Sequence, residues 1–335
     1  MAPQVAIKLR HCTTVKPPYI LPCAGKVPQI PCASAGGMEE GTCTRTLRAA
    51  AVLVATGGLL ASAAPAFANE HTAAGHGVTV VGDGSSVGVD RATVEAGRVS
   101  FNVSSTNPVV QGNGGSNISL FQPKHGVTLE QVFADYREEF SSQPATAATG
   151  TRDLVRDVSI FGLAQVVPGS PEVVTESLRS GTYYLMDLVK FSGVGQPTTT
   201  RLSVAGNGTG SPLKGGVLVT PTSADRFIAP RTWSHRGTYL FHNVADTIHF
   251  MAIQPVEAGT TDRQIQAFFD SGSQTPPPLF RAGPSGGNDV VSPGGTIRVD
   301  YNLPAGTYVL LCFVADDVTG MPHALMGMHK VIQLT

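Results

Sequence analysis

The stretch Tyr308-Val-Leu-Leu-Cys312-Phe-Val-Ala-Asp-Asp-Val-Thr-Gly-Met321-Pro322-His323-Ala-Leu-Met326-Gly327-Met328-His329 gathers a thiol, imidazoles and thioethers on one strand end and its following loop. Upstream lies Phe241-His242-Asn243-Val-Ala-Asp-Thr-Ile-His249-Phe-Met251. Thiolate and thioether are soft donors that stabilise Cu(I), whereas imidazole suits both copper oxidation states. Two imidazoles and one thiolate in a trigonal set, with a distant, weak thioether, form the ligand arrangement of blue copper. One histidine on a core strand and the other donors on one loop would hold such a set rigid.

The same residues resemble those of the cupredoxins. Pro322-His323-x3-Gly327-Met328 is similar to the plastocyanin-type end loop, Tyr308-x3-Cys312 to the strand before it, and Asn243-x5-His249 to the segment bearing the first histidine. The resemblance spans residues 241–329 and implies one copper, with His249, Cys312 and His323 as equatorial ligands and Met328 axial. Met326 is the substitute axial candidate. The resemblance also implies one-electron transfer with an unidentified redox partner, and His323 as the electron exit. One feature departs from the family: ten residues separate Cys312 from His323, where plastocyanin-type loops have only a few. Copper nitrite reductases, built from two cupredoxin domains, tolerate a comparably long insertion.

Blander readings apply to each residue. Cys312 fits a core thiol, His249 a core-strand histidine, and His323 and Met328 ordinary loop residues. The Met/His-rich loop also suits a Cu(I) carrier, and two sandwiches without metal would suit a binding module. Cys312 is flanked by Leu311 and Phe313 rather than histidines, which removes the through-bond route to a second copper used by multicopper oxidases and nitrite reductases. No Gly-x-Ser-x-Gly, His-Glu-x-x-His or phosphate loop occurs. The expectation is therefore that the chain is not an enzyme. His242 and His329 read as surface residues, and Asp316-Asp317 as a solvated turn.

Positioning these donors requires strands, and the sequence is patterned for them. Val78–Val81, Ser100–Val103, Tyr239–Asn243, Phe250–Ile253, Tyr308–Val314 and Lys330–Leu334 are short β-branched or aromatic runs between Gly, Pro, Asn and Asp. The chain also resembles itself. Leu120-Phe121-Gln122-Pro123 is echoed by Ala252-Ile253-Gln254-Pro255, Thr128-x-x-Gln131 by Thr261-x-x-Gln264, and Ser180-Gly181-Thr182-Tyr183 by Ala305-Gly306-Thr307-Tyr308. The Thr-x-x-Gln motifs are helix starts. The expected fold is all-β: two tandem cupredoxin-like Greek-key β-sandwiches, each with a short helical excursion. Residues 69–205 form the first, 206–214 a Gly-rich linker, and 215–335 the second. The first copy holds Asn117, Asp187, Thr198 and approximately Ser203 where ligands would stand, so it is expected to bind no copper.

Composition sets the context. Charged residues make up 14% and the formal net charge is -1, which argues against nucleic acid as a partner. Gly 38 and Pro 24 favour turns and short strands. Arg45 and Arg48, the apolar run Ala49–Leu60 and Ala66-Phe67-Ala68 read as a secretory signal peptide within an N-terminal segment 1–68, with Met38 the more natural start. No segment of the mature chain is apolar enough to span a bilayer. Cleavage after Ala68 would remove Cys12, Cys23, Cys32 and Cys43, leaving Cys312 alone in a secreted or extracytoplasmic protein. A single thiol cannot form an internal disulfide, so it is unpaired, bonded between molecules or a metal ligand.

Overall fold

A computed structural model of the chain describes residues 77–335 apart from 109–113, 193–197, 209, 211, 273–278 and 282. The N-terminal segment 1–68, expected to hold a signal peptide, and its four cysteines lie outside the described residues. Strand alternation builds the interior. In Gly97–Ser105 the side chains of Val99, Phe101 and Val103 are fully buried while Arg98 and Asn102 face out. In His249–Pro255 the inward set is His249, Met251, Ile253 and Pro255, so a histidine shares the core face. Each large apolar side chain buried in this way contributes roughly 1.5–3 kcal/mol.

The result is an all-β sandwich. One sheet has eight strands in the order Arg226–Ile228, Val217–Thr222, Arg236–His242, Thr296–Asn302, Glu172–Leu178, Gly97–Ser105, Gly77–Gly82 and Val87–Val89. A second runs Thr93–Glu95, Thr199–Ala205, Gly181–Asp187, Ser116–Pro123 and Val158–Ile160, with Ala164–Val166 also paired to Ser116–Pro123. The third runs Thr232–Trp233, His329–Leu334, Gly306–Leu311, His249–Pro255 and Gly286–Val291. Their inward side chains share one hydrophobic core.

The eight-stranded sheet is continuous across both halves of the chain. Arg298, Val299 and Asp300 pair antiparallel with Thr175, Val174 and Val173. The two shorter sheets are bonded side by side as well, Ser292 donating its N–H to Ile160 O at 2.9 Å and its hydroxyl accepting from Ile160 N at 2.9 Å. The halves are thus joined through both layers.

Both Thr-x-x-Gln motifs start helices. Thr128 accepts from Gln131 N ahead of α1 (Leu129–Glu139), which buries Val132 and Tyr136. Thr261 and Gln264 form a reciprocal capping box ahead of α3 (Asp262–Asp270), which buries Ile265 and Phe268. Between them lies α2 (Pro144–Asp157), a helix the apolar spacing did not announce. Its proline sits in the first turn, where no amide donor is missed. The first half therefore carries two helices where one excursion was expected. No helix among the described residues is long and apolar enough to cross a membrane.

Candidate metal centre

Cys312 follows directly on strand Gly306–Leu311 and is fully buried. The ten-residue insertion after it closes on itself. Ala315 bridges Pro322 antiparallel, His323 N donates to Val314 O at 3.0 Å, and Asp316 N donates to Met321 O at 2.8 Å. Asp316 Oδ1 accepts from Val318 N and Thr319 N, holding the tip as a tight turn. His323 is thereby returned beside the thiol, and Ala324 N donates to Cys312 O at 2.6 Å. A single 3₁₀ turn (His323–Met326) then ends at Gly327, whose φ of 106° is a left-handed conformation that glycine adopts without strain.

His249 arrives from the opposite side, as the first residue of its strand and the partner of Val291. Asn243 ties down the approach. Its amide donates to Thr247 O at 2.9 Å and Val291 O at 2.8 Å, and its oxygen accepts from Ala245 N.

The three donors converge. Cys312 Sγ lies 3.6 Å from His249 Nδ1 and 3.7 Å from His323 Nδ1, with the two rings 4.6 Å apart at 44°. All three residues are fully buried, and their ligand atoms lie within 4.8 Å of one another. Among the described residues this is the one such group of three or more His, Cys, Asp or Glu side chains. One thiol proton can serve only one of two imidazole lone pairs. A cation accepting all three donors removes that conflict. Metal–sulfur bonds of about 2.3 Å and metal–nitrogen bonds of about 2.0–2.1 Å place sulfur and nitrogen about 3.6 Å apart at a tetrahedral angle and about 3.8 Å at a trigonal one. The observed separations fall in that interval, so the donor set fits a metal ion.

Burial tunes the protons in the same direction. It depresses the His249 pKa to about 3, with the neighbouring His323 adding to the shift. It depresses that of His323 to about 4 against the opposing pull of Asp316. Both rings are therefore neutral at physiological pH, the form in which imidazole can bind a metal. The Cys312 thiol is pushed up to about 12 by burial, although backbone N–H groups of Phe250 and Val314 favour its thiolate. A cation held there would supply the missing charge compensation.

Met328 is fully buried, in the same core cluster as Cys312, and its N–H donates to His323 O at 2.9 Å. Met326 is 38% exposed and its sulfur accepts from Thr319 Oγ1 at 3.6 Å, facing away from the core. His242 and His329 are half-buried rather than on the surface, bonded to Thr296 and Gln266 respectively. In the first half Asp187 accepts from Gly84, Asn117 and Val189 backbone N–H groups, a wholly structural use of a buried carboxylate.

His323 does not reach the surface, contrary to its expected place as the exit. Its Nε2 faces Asp225 Oδ1 at 3.7 Å. Asp225 sits at φ 50°, the one non-glycine residue with positive φ among those described, in the hairpin between Val217–Thr222 and Arg226–Ile228. Burial and the nearby Asp316 carboxylate raise its pKa, while Arg226 opposes them. No local pattern marked Asp225, because its partner is almost a hundred positions away. A small polar residue in a tight hairpin was the sole available signal.

No family model and no curated protein matches the chain. Among solved structures it is similar to the auracyanin of the photosynthetic bacterium Roseiflexus castenholzii, at 16% identity over 35% of this chain and 94% of that one, TM-score 0.23. It is also similar to a laccase-like multicopper oxidase of Ochrobactrum sp., at 8% identity over 77% of this chain and 66% of that one, TM-score 0.23. A copper-containing nitrite reductase of Thermus scotoductus matches at 10% identity over 77% of this chain and 61% of that one, TM-score 0.20. The multicopper oxidase and the nitrite reductase, each matched over 77% of this chain, are enzymes, and the expectation that the chain is not one does not stand. Leu311 and Phe313 bear on one route between two coppers and leave other catalytic arrangements open.

Proposed function

We propose that residues 215–335 hold one copper ion in a type 1 site and pass single electrons through it, in an exported protein whose residues 69–205 carry no copper ligands. His249 Nδ1, His323 Nδ1 and Cys312 Sγ would hold the copper, and Met328 would add a weak thioether. The observation that carries this reading is the convergence of three buried donors, with sulfur 3.6 and 3.7 Å from two imidazole nitrogens. Copper supplies one-electron chemistry, cycling between Cu(I) and Cu(II), when bound. The chain's own residues do the rest. The strand register and the Ala315–Pro322 bridge hold the donors at fixed separations, and full burial excludes water from the sulfur. A redox partner protein would exchange the electron.

The full chain titrated with Cu(II) tests this by metal content and visible absorption, with Cys312→Ser beside it. One copper per chain and an intense sulfur-to-copper band, lost in the variant, is the expected result. Copper bound without the band and retained by Cys312→Ser would replace this reading with a Cu(I) carrier. No copper at all would leave a binding module.

A further inference from the structure

We propose that the helices of the N-terminal half are part of the metal centre, with Thr151 and Glu139 acting as positioning residues for the loop that carries His323. This inference rests on the copper reading only for its spectroscopic arm.

The insertion between Cys312 and His323 is closed by the Ala315–Pro322 bridge, whose bonds use the neighbouring groups of Val314 and Asp316. The N–H and C=O of Ala315 itself therefore point away from that bridge, and the other half of the chain takes both. Thr151 Oγ1 on α2 donates to Ala315 O at 2.8 Å. Glu139 Oε1 at the end of α1 accepts from Ala315 N at 3.3 Å. Thr151 is fully buried and Ala315 is buried beside it, so the Thr151 bond is shielded from water, while the Glu139 bond is part-buried.

Two further contacts fasten the tip. Arg152 Nη1 donates to Asp317 O, and Gly320 lies so close to the Pro144 carbonyl that any side chain there would collide with it. The two helices are themselves locked together. Gly150 of α2 lies against the backbone of Glu138 and Glu139, where a Cβ has no room. A metal site tolerates displacements of roughly 0.5 Å in its donors. A long loop fastened at Ala315, Asp317 and Gly320, in addition to its own internal bonds, is held so that His323 stays within such limits. The ligand-poor half thus has a definite task.

The test uses the full chain with Thr151→Val, which keeps the shape and removes the donor, and Thr151→Ser, which keeps the donor. Glu139→Ala provides an independent cut should Thr151→Val fail to fold. Amide hydrogen exchange over residues 312–328 is measured without metal. The Cu(II)-loaded proteins are then compared by visible band, copper hyperfine coupling and the rate of copper release to a chelator. Thr151→Val is expected to exchange loop amides faster, to shift the hyperfine coupling and to release copper about tenfold faster, while Thr151→Ser stays like the parent. Lowered stability with unchanged loop exchange, spectrum and release rate would overturn the proposal, leaving Thr151 as packing alone. A parent protein that takes no copper would refute the copper reading, and the exchange data would still decide the positioning role.

Discussion

Replacing Glu172 with glutamine is expected to flatten the pH dependence of folding stability. Glu172 opens strand Glu172–Leu178 at the seam between the halves and is 4% exposed. Its Oε1 accepts from Gly287 N at 3.1 Å, on the strand that pairs with His249–Pro255, and its Oε2 has no protein partner. Burial raises its pKa from 4.5 to about 8, against the opposing Gly287 bond. The folded state therefore holds this proton more tightly than the unfolded chain does. Its stabilising share is complete below pH 4.5 and is lost as pH rises to about 8. One proton per molecule gives a slope of about 1.4 kcal/mol per pH unit, or roughly 5 kcal/mol over the window. Glutamine keeps a carbonyl for Gly287 and cannot ionise. Glu139 and Asp289, both raised to about 7 by burial, titrate in parent and variant alike and cancel in the difference. Urea unfolding of both proteins from pH 5 to 9 should show the variant gaining about 1.4 kcal/mol per unit on the parent up to pH 8, then levelling. Parallel stability curves would refute the reasoning, since they would mean that Glu172 is not protonated in the native state.

Two other substitutions probe the centre itself. Asp225→Asn removes a negative charge 3.7 Å from His323 Nε2, which favours the less positive oxidation state. The reduction potential should rise by tens of millivolts in protein-film voltammetry, and an unchanged or lower potential would remove Asp225 from the site. Met328→Leu removes a buried thioether, whereas Met326→Leu alters a residue that faces solvent. The first should shift the potential upward and leave the blue band in place, while the second should change neither. Reversed effects would exchange the two methionines.

What local chemistry dictates was legible in the sequence. The donor types and their setting marked His249, Cys312 and His323, which the structure brings together, and the two Thr-x-x-Gln motifs announced α1 and α3. Other features depend on partners far along the chain. The sheet that joins the halves rests on Arg298 meeting Thr175, and the cover over His323 rests on a hairpin near residue 225. Neither leaves a periodic trace. Helix α2 was hidden for a different reason: apart from Leu154 and Asp157 its buried residues are Ala147, Ala148, Gly150 and Thr151, small residues that give little hydrophobic contrast. That smallness is what lets it lie against α1 and the ligand loop. The ten residues between Cys312 and His323 follow the same logic. Counted along the chain they separate Cys312 from His323, but the Ala315–Pro322 bridge brings the loop's ends back together, and Thr151 and Glu139 bond to its Ala315. Spacing in sequence limits a metal site only where the intervening residues find nothing else to bond.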